Sequence, residues 1–129
     1  LLKRKRLVLV CIFFSFLTSY ILFSVWIAND VRIILRTGMQ NDANYRDYMS
    51  SDVYQNINPM LRNMTSADYT YNAESHSIGM PVPLHFFGIA KVWVTHRYNA
   101  EIVGFEEPVT LTLKLKKGKW YAANVHIKP

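Results

Sequence analysis

A chain of 129 residues, half of them hydrophobic and with a formal charge of +6, has room for one domain around one modest core. Lys3, Arg4, Lys5 and Arg6 hold four of the 15 cationic residues, so from Asn29 onward 11 face 9 Asp and Glu, too even a balance for a nucleic-acid-binding surface. The single Cys11 excludes an intrachain disulfide framework and a cysteine metal site.

Behind the basic flank of residues 1–6, the run 7–28 carries no charge and is rich in Leu, Ile, Val and Phe. As a helix it extends ~33 Å, enough to cross a hydrocarbon core of ~30 Å. Its length, and the bulky Val25-Trp26 where a cleavage site needs small residues, argue for a retained anchor rather than a cleaved signal. The cations at the N-terminal end place that end in the cytoplasm and residues 29–129 outside the cytoplasmic membrane, with the bilayer as partner. Trp26 falls where an amphipathic ring favours the interface.

Asn29 or Asp30 can cap a new helix over residues 31–37, or the first helix can run on; Gly38 is the expected stop. A second helix is predicted over residues 41–49, and a third from Ser51 or Asp52 with Val53, Tyr54, Ile57 and Leu61 as its apolar stripe, broken at Pro59. Residues 66–87 give mixed signals: a short strand at 68–71, then Pro81 and Pro83, which allow only an irregular or edge-strand segment.

Residues 89–103 alternate with period two, placing Ala90, Val92, Val94, His96, Tyr98, Ala100 and Ile102 on the buried face. Residues 104–108 read as a turn, and residues 109–117 bury Val109, Leu111, Leu113 and Leu115. A three-residue loop at Lys117-Gly118-Lys119 would pair Leu115 with Tyr121, Leu113 with Ala123, Leu111 with Val125 and Val109 with Ile127. A two-residue loop would put Asn124 and His126 inside. The result is an antiparallel meander in an α+β domain.

Helical segments followed by a meander that closes on Gly118-Lys-Trp-Tyr-Ala-Ala-Asn-Val125 resemble the nuclear transport factor two-like, cystatin-like cone superfamily over residues of about 30 to 128. The resemblance implies helices packed on one face of a curved antiparallel sheet. It also implies two kinds of relative: membrane-anchored assembly factors of bacterial type IV secretion and conjugation, and soluble enzymes or small-ligand binders. The acid-base motif of the enzymes has no counterpart here.

Two site readings follow. On the buried face, His96 and Tyr98 with Tyr45, Tyr48 and Tyr121 can line a small-molecule pocket; otherwise His96 is a core histidine satisfied by tyrosine hydroxyls or backbone. On the outer face, Trp93, Arg97, Trp120, Asn124 and His126 form a candidate surface for a protein partner or for self-association, unless the tryptophans pack under the Pro-rich segment. Lys114, Lys116, Lys117, Lys119 and Lys128 are expected to cluster at one end of the meander, where they suit anionic headgroups or a solvated edge. His76, His85, His96 and His126 lack metal-ligand spacing, and no cofactor motif is present. A membrane-anchored interaction or assembly module of an envelope complex is therefore expected ahead of a catalytic or sensory pocket.

Overall fold

The computed structural model describes residues 2–41, 44–65 and 68–128. Helix α1 is one unbroken 38-residue element, Leu2–Met39, so the first helix does run on through Asn29 and Asp30. No Gly or Pro interrupts it before Gly38. Its environment changes along its length: residues 2–23 are exposed, whereas Ile27, Val31, Ile34 and Leu35 are fully buried at helical spacing. The first part is long and apolar enough to cross a membrane. Asp30 caps nothing, and instead accepts the Trp120 backbone N–H (3.2 Å), tying helix to sheet.

Gly38 is not a left-handed stop. It lies within the last turn, where a Cβ would meet Ile57 Cγ2 at 2.6 Å, so its role is to let α2 (Ser51–Ile57) approach α1. Buried Asn58 receives the end of α1: its Nδ2 donates to the carbonyls of Gly38 (3.2 Å) and Gln40 (3.0 Å), which have no intrahelical partner. Helix α2 is capped by Ser50, whose Oγ accepts from Val53 N–H, one residue before the expected cap, and Leu61 lies exposed beyond it. The helix predicted over 41–49 reduces to a 3-10 turn at Tyr45–Asp47, with residues 42 and 43 outside the described set. Met49 then forms a parallel bridge to Ala122 that covers the outer sheet edge.

Five antiparallel strands form one curved sheet: β1 (His76–Ile78), β2 (Val82–Phe86), β3 (Ile89–Asn99), β4 (Gly104–Lys116) and β5 (Lys119–Ile127). Strands β1 and β2 are two pieces of one edge, both paired with β3 and separated by an irregular Gly79–Pro81 step that adds one residue to the edge. The Pro-rich stretch is thus the edge strand that its prolines permit. No strand forms at 68–71; residues 66 and 67 lie outside the described set.

Alternation in β3 holds from Ala90 to Tyr98 and stops at Asn99. Residues 100–103 make the turn, closed by Ala100 N–H to Val103 C=O (3.0 Å), so Val103 is buried and Ile102 exposed, and Gly104 already pairs with Asn99. The predicted turn at 104–108 is strand. Pro108 is tolerated inside β4 because β5 ends opposite it, leaving its missing N–H at the ladder's limit.

The β4–β5 turn uses two residues, Lys117 and Gly118, both with positive φ (52° and 78°), the conformation that matches strand twist. Near the turn Leu115 therefore pairs with Trp120 and Leu113 with Ala122, in place of the expected Tyr121 and Ala123. A bulge at Ala123 then restores the expected pairs Leu111 with Val125 and Val109 with Ile127. Both registers coexist in one hairpin, which keeps Asn124 and His126 outside and turns Trp120 and Ala122 inward. The inner face, covered by the last third of α1 and by α2, is the core.

Candidate functional site

Five side chains from separate segments meet in one line under the helices. Tyr71 Oη lies 2.8 Å from His76 Nδ1, His76 Nε2 lies 2.9 Å from His96 Nδ1, and His96 Nε2 lies 3.1 Å from Glu107 Oε1. Arg62 closes the line with a bidentate pair to both Glu107 oxygens (2.6 and 2.9 Å). Register explains the juxtaposition: His96 is the direct cross-strand partner of Glu107, and His76 sits diagonally across on β1. Arg62 reaches in from the turn after α2, its guanidinium 5.8 Å above the Phe105 ring.

The carboxylate sets the direction of the line. Because ionised Glu107 only accepts, His96 donates from Nε2; with both rings neutral, His96 Nδ1 accepts from His76 Nε2–H, and His76 Nδ1 accepts the Tyr71 hydroxyl proton. Every nitrogen is satisfied. Burial, reinforced by neighbouring His96 and the charge of Arg36, lowers the His76 pKa to about 4. Burial alone would raise Glu107, but hydrogen bonds from His96 and Arg62 and the Arg62 charge outweigh it and bring it down to about 2. Burial also pushes Tyr71 up to about 12.

His96 is packed on all sides, and a groove of about 630 Å3 between Tyr69, Asn72, Ser75, Tyr98 and Val103 is lined by neither histidine nor by Glu107. Of the predicted pocket residues, His96 and Tyr98 do share the inner face. Tyr45 instead stacks on Tyr54 (4.0 Å), Tyr48 lies under Lys119, and Tyr121 falls on the outer face beside Lys114 and Lys116. Among the described residues, no group of three or more His, Cys, Asp or Glu is arranged to hold a metal. Sequence reasoning missed Glu107 and His76; continuing the odd-numbered buried set of β4 back across Pro108 would have found the carboxylate.

Trp93, Arg97, Asn124 and His126 all face outward, but Arg97 pairs with Ser77 and Glu106, two rows beyond Trp93. Val82, Trp93, Thr110 and His126 form one cross-strand row, and Leu84, Lys91, Thr112 and Asn124 the next. Trp93 remains 43% exposed, with the Lys91 ammonium 5.5 Å from its ring. Trp120 does not belong to this face: the two-residue turn rotates it inward, where it is 1% exposed and meets Trp26 edge-on at 5.7 Å. Lys128 is likewise separated from the other lysines, at the far end of β5 beside Pro108.

Comparison of the chain with family models, with curated proteins and with solved structures returns no match.

Proposed function

We propose that α1 crosses the cytoplasmic membrane over residues 7–28 with its basic flank inside, and that the α+β domain stands outside as a non-enzymatic interaction or assembly module. One observation carries this reading: the same helix that supplies the apolar run also supplies Ile27, Val31, Ile34 and Leu35 to the core, so anchor and domain are joined without a linker. Such a joint fixes the height and orientation of the sheet above the lipid, which suits a scaffold. The resemblance to cone-like, membrane-anchored assembly factors extends the reading to a bacterial secretion or conjugation complex. The contact surface for a protein partner or a second copy is the outer face around Trp93 and Arg97. The rival pocket reading is disfavoured by the packing of His96.

Crosslinking of the full chain in native membranes tests this. Trp93→Ala with Arg97→Ala is expected to leave the fold intact, since both side chains face outward, and to abolish the specific crosslinked species. A folded double variant that retains every crosslink removes this face from the proposal.

A further inference from the structure

The β2–β3 hairpin ends in an apolar tip that no element of the domain covers. Phe87 is 88% exposed, and Leu84, Phe86 and Ile89 are exposed beside it, far more apolar surface than a two-residue turn presents to water. This tip is held against the apolar part of α1. His85 N–H donates to Tyr20 Oη (3.3 Å), His85 Nε2 lies 3.2 Å from the Tyr20 carbonyl, and the two rings stack at 3.9 Å. Tyr20 lies ~12 Å along the helix axis inside Ala28, where the apolar run ends. If the run is in lipid, so is the tip.

The neighbouring β4–β5 turn runs beside the tip, Leu115 N–H bonding the Gly88 carbonyl, so its lysines reach headgroups only by folding back along the hairpin. It carries Lys114, Lys116, Lys117 and Lys119. The ammonium groups of Lys114 and Lys116 sit 5.6 and 4.7 Å from the Tyr121 ring, and that of Lys119 sits 5.3 Å from Tyr48, rings no nearer the membrane end than the lysines themselves. Long cationic side chains near an apolar boundary bend this way to keep their charge at headgroup level. The contacts between β2 and Tyr20 also satisfy an edge-strand N–H that lipid would leave unpaired. A groove of about 500 Å3 with a largely apolar lining lies between Phe16, Phe23, Phe87, Leu115 and Trp120.

We infer that the β2–β3 tip inserts into the outer leaflet of the bilayer that α1 spans, with the lysines of the β4–β5 turn on anionic headgroups. This rests on the proposed membrane crossing, and the test separates the two. Single nitroxide labels are placed at Phe13→Cys, Phe87→Cys and Glu101→Cys in a Cys11→Ser chain reconstituted in phosphatidylcholine vesicles with or without phosphatidylglycerol, and collision with oxygen is compared with collision with a water-soluble nickel chelate. The expected result is that the Phe87 label matches the Phe13 label in favouring oxygen, while Glu101 favours nickel. It should also move outward without phosphatidylglycerol or in Lys116→Gln, Lys117→Gln, Lys119→Gln. A Phe87 label as wet as Glu101 beside a lipid-exposed Phe13 label overturns the inserted tip alone and leaves it a site for a protein. A wet Phe13 label overturns the crossing and the insertion together, and a depth indifferent to anionic lipid removes the lysines.

Discussion

Glu107 is the residue on which the buried polar line depends, because its charge orients two imidazoles and holds Arg62 across the domain. Glu107→Gln leaves Arg62 facing a neutral amide, and unfolding in urea should show a loss of about 3 kcal/mol, the usual consequence of breaking a largely buried pair from one side. A loss under about 1 kcal/mol would mean that the line contributes little to the fold. His76 gives the pH dependence. Its pKa falls from 6.5 in the unfolded chain to about 4 in the folded one, so between these values the unfolded chain binds more protons and stability rises with pH. Stability should be fully present above pH 6.5 and decline toward pH 4, by at most about 3 kcal/mol. His76→Gln should flatten that slope, leaving the lower window in which Glu107 protonates, between 4.5 and about 2.

At the scale of elements, two small residues decide the packing. Gly38→Ala places a methyl group against Ile57 Cγ2, and the expected cost of about 1–2 kcal/mol survives the better helix propensity of alanine. In a double-mutant cycle with Ile57→Ala the two changes should cost clearly less than their sum; strict additivity would show that the close approach is not what requires glycine. Deleting Ala123 removes the one extra residue of the bulge and leaves an unbroken alternation, with Trp120, Ala122, Val125 and Ile127 still inward and Asn124 and His126 still outward. The deletion variant should keep cooperative thermal unfolding; its loss would contradict the mixed register. These two sites also mark the limit of sequence reading. Alternation made β3 through Tyr98 and the inner Val109, Leu111 and Leu113 of β4 legible, although Leu115, expected inside, is 41% exposed beside the turn, and the prolines made β2 legible as an edge. A bulge at an alanine leaves no compositional trace, so the fates of Trp120 and Tyr121 could not be read from the loop. His96 was legible as buried, but its partners depend on a β3–β4 register hidden by Pro108.

For the whole molecule, the decisive feature is that one helix changes environment without changing conformation, exposed and apolar through residue 23 and buried in the core from Ile27. If the apolar part lies in lipid, the sheet stands at a fixed height, its Trp93 and Arg97 face in water and its Phe87 tip directed at the bilayer. Tilting or lengthening the junction should then disturb function without unfolding the domain. Inserting two alanines after Ser24 is expected to preserve the thermal midpoint of the domain within a few degrees while breaking the His85–Tyr20 contact and the crosslinking pattern; an unchanged pattern would show that height is irrelevant. Labelling of single cysteines in intact cells tests the membrane crossing of α1. With Cys11 replaced by Ser, a cysteine at Glu101 should react with a membrane-impermeant maleimide added from outside, and one at Lys3 should react only after the cells are opened. Equal protection of both positions, or recovery of the labelled domain in the soluble fraction, would contradict it.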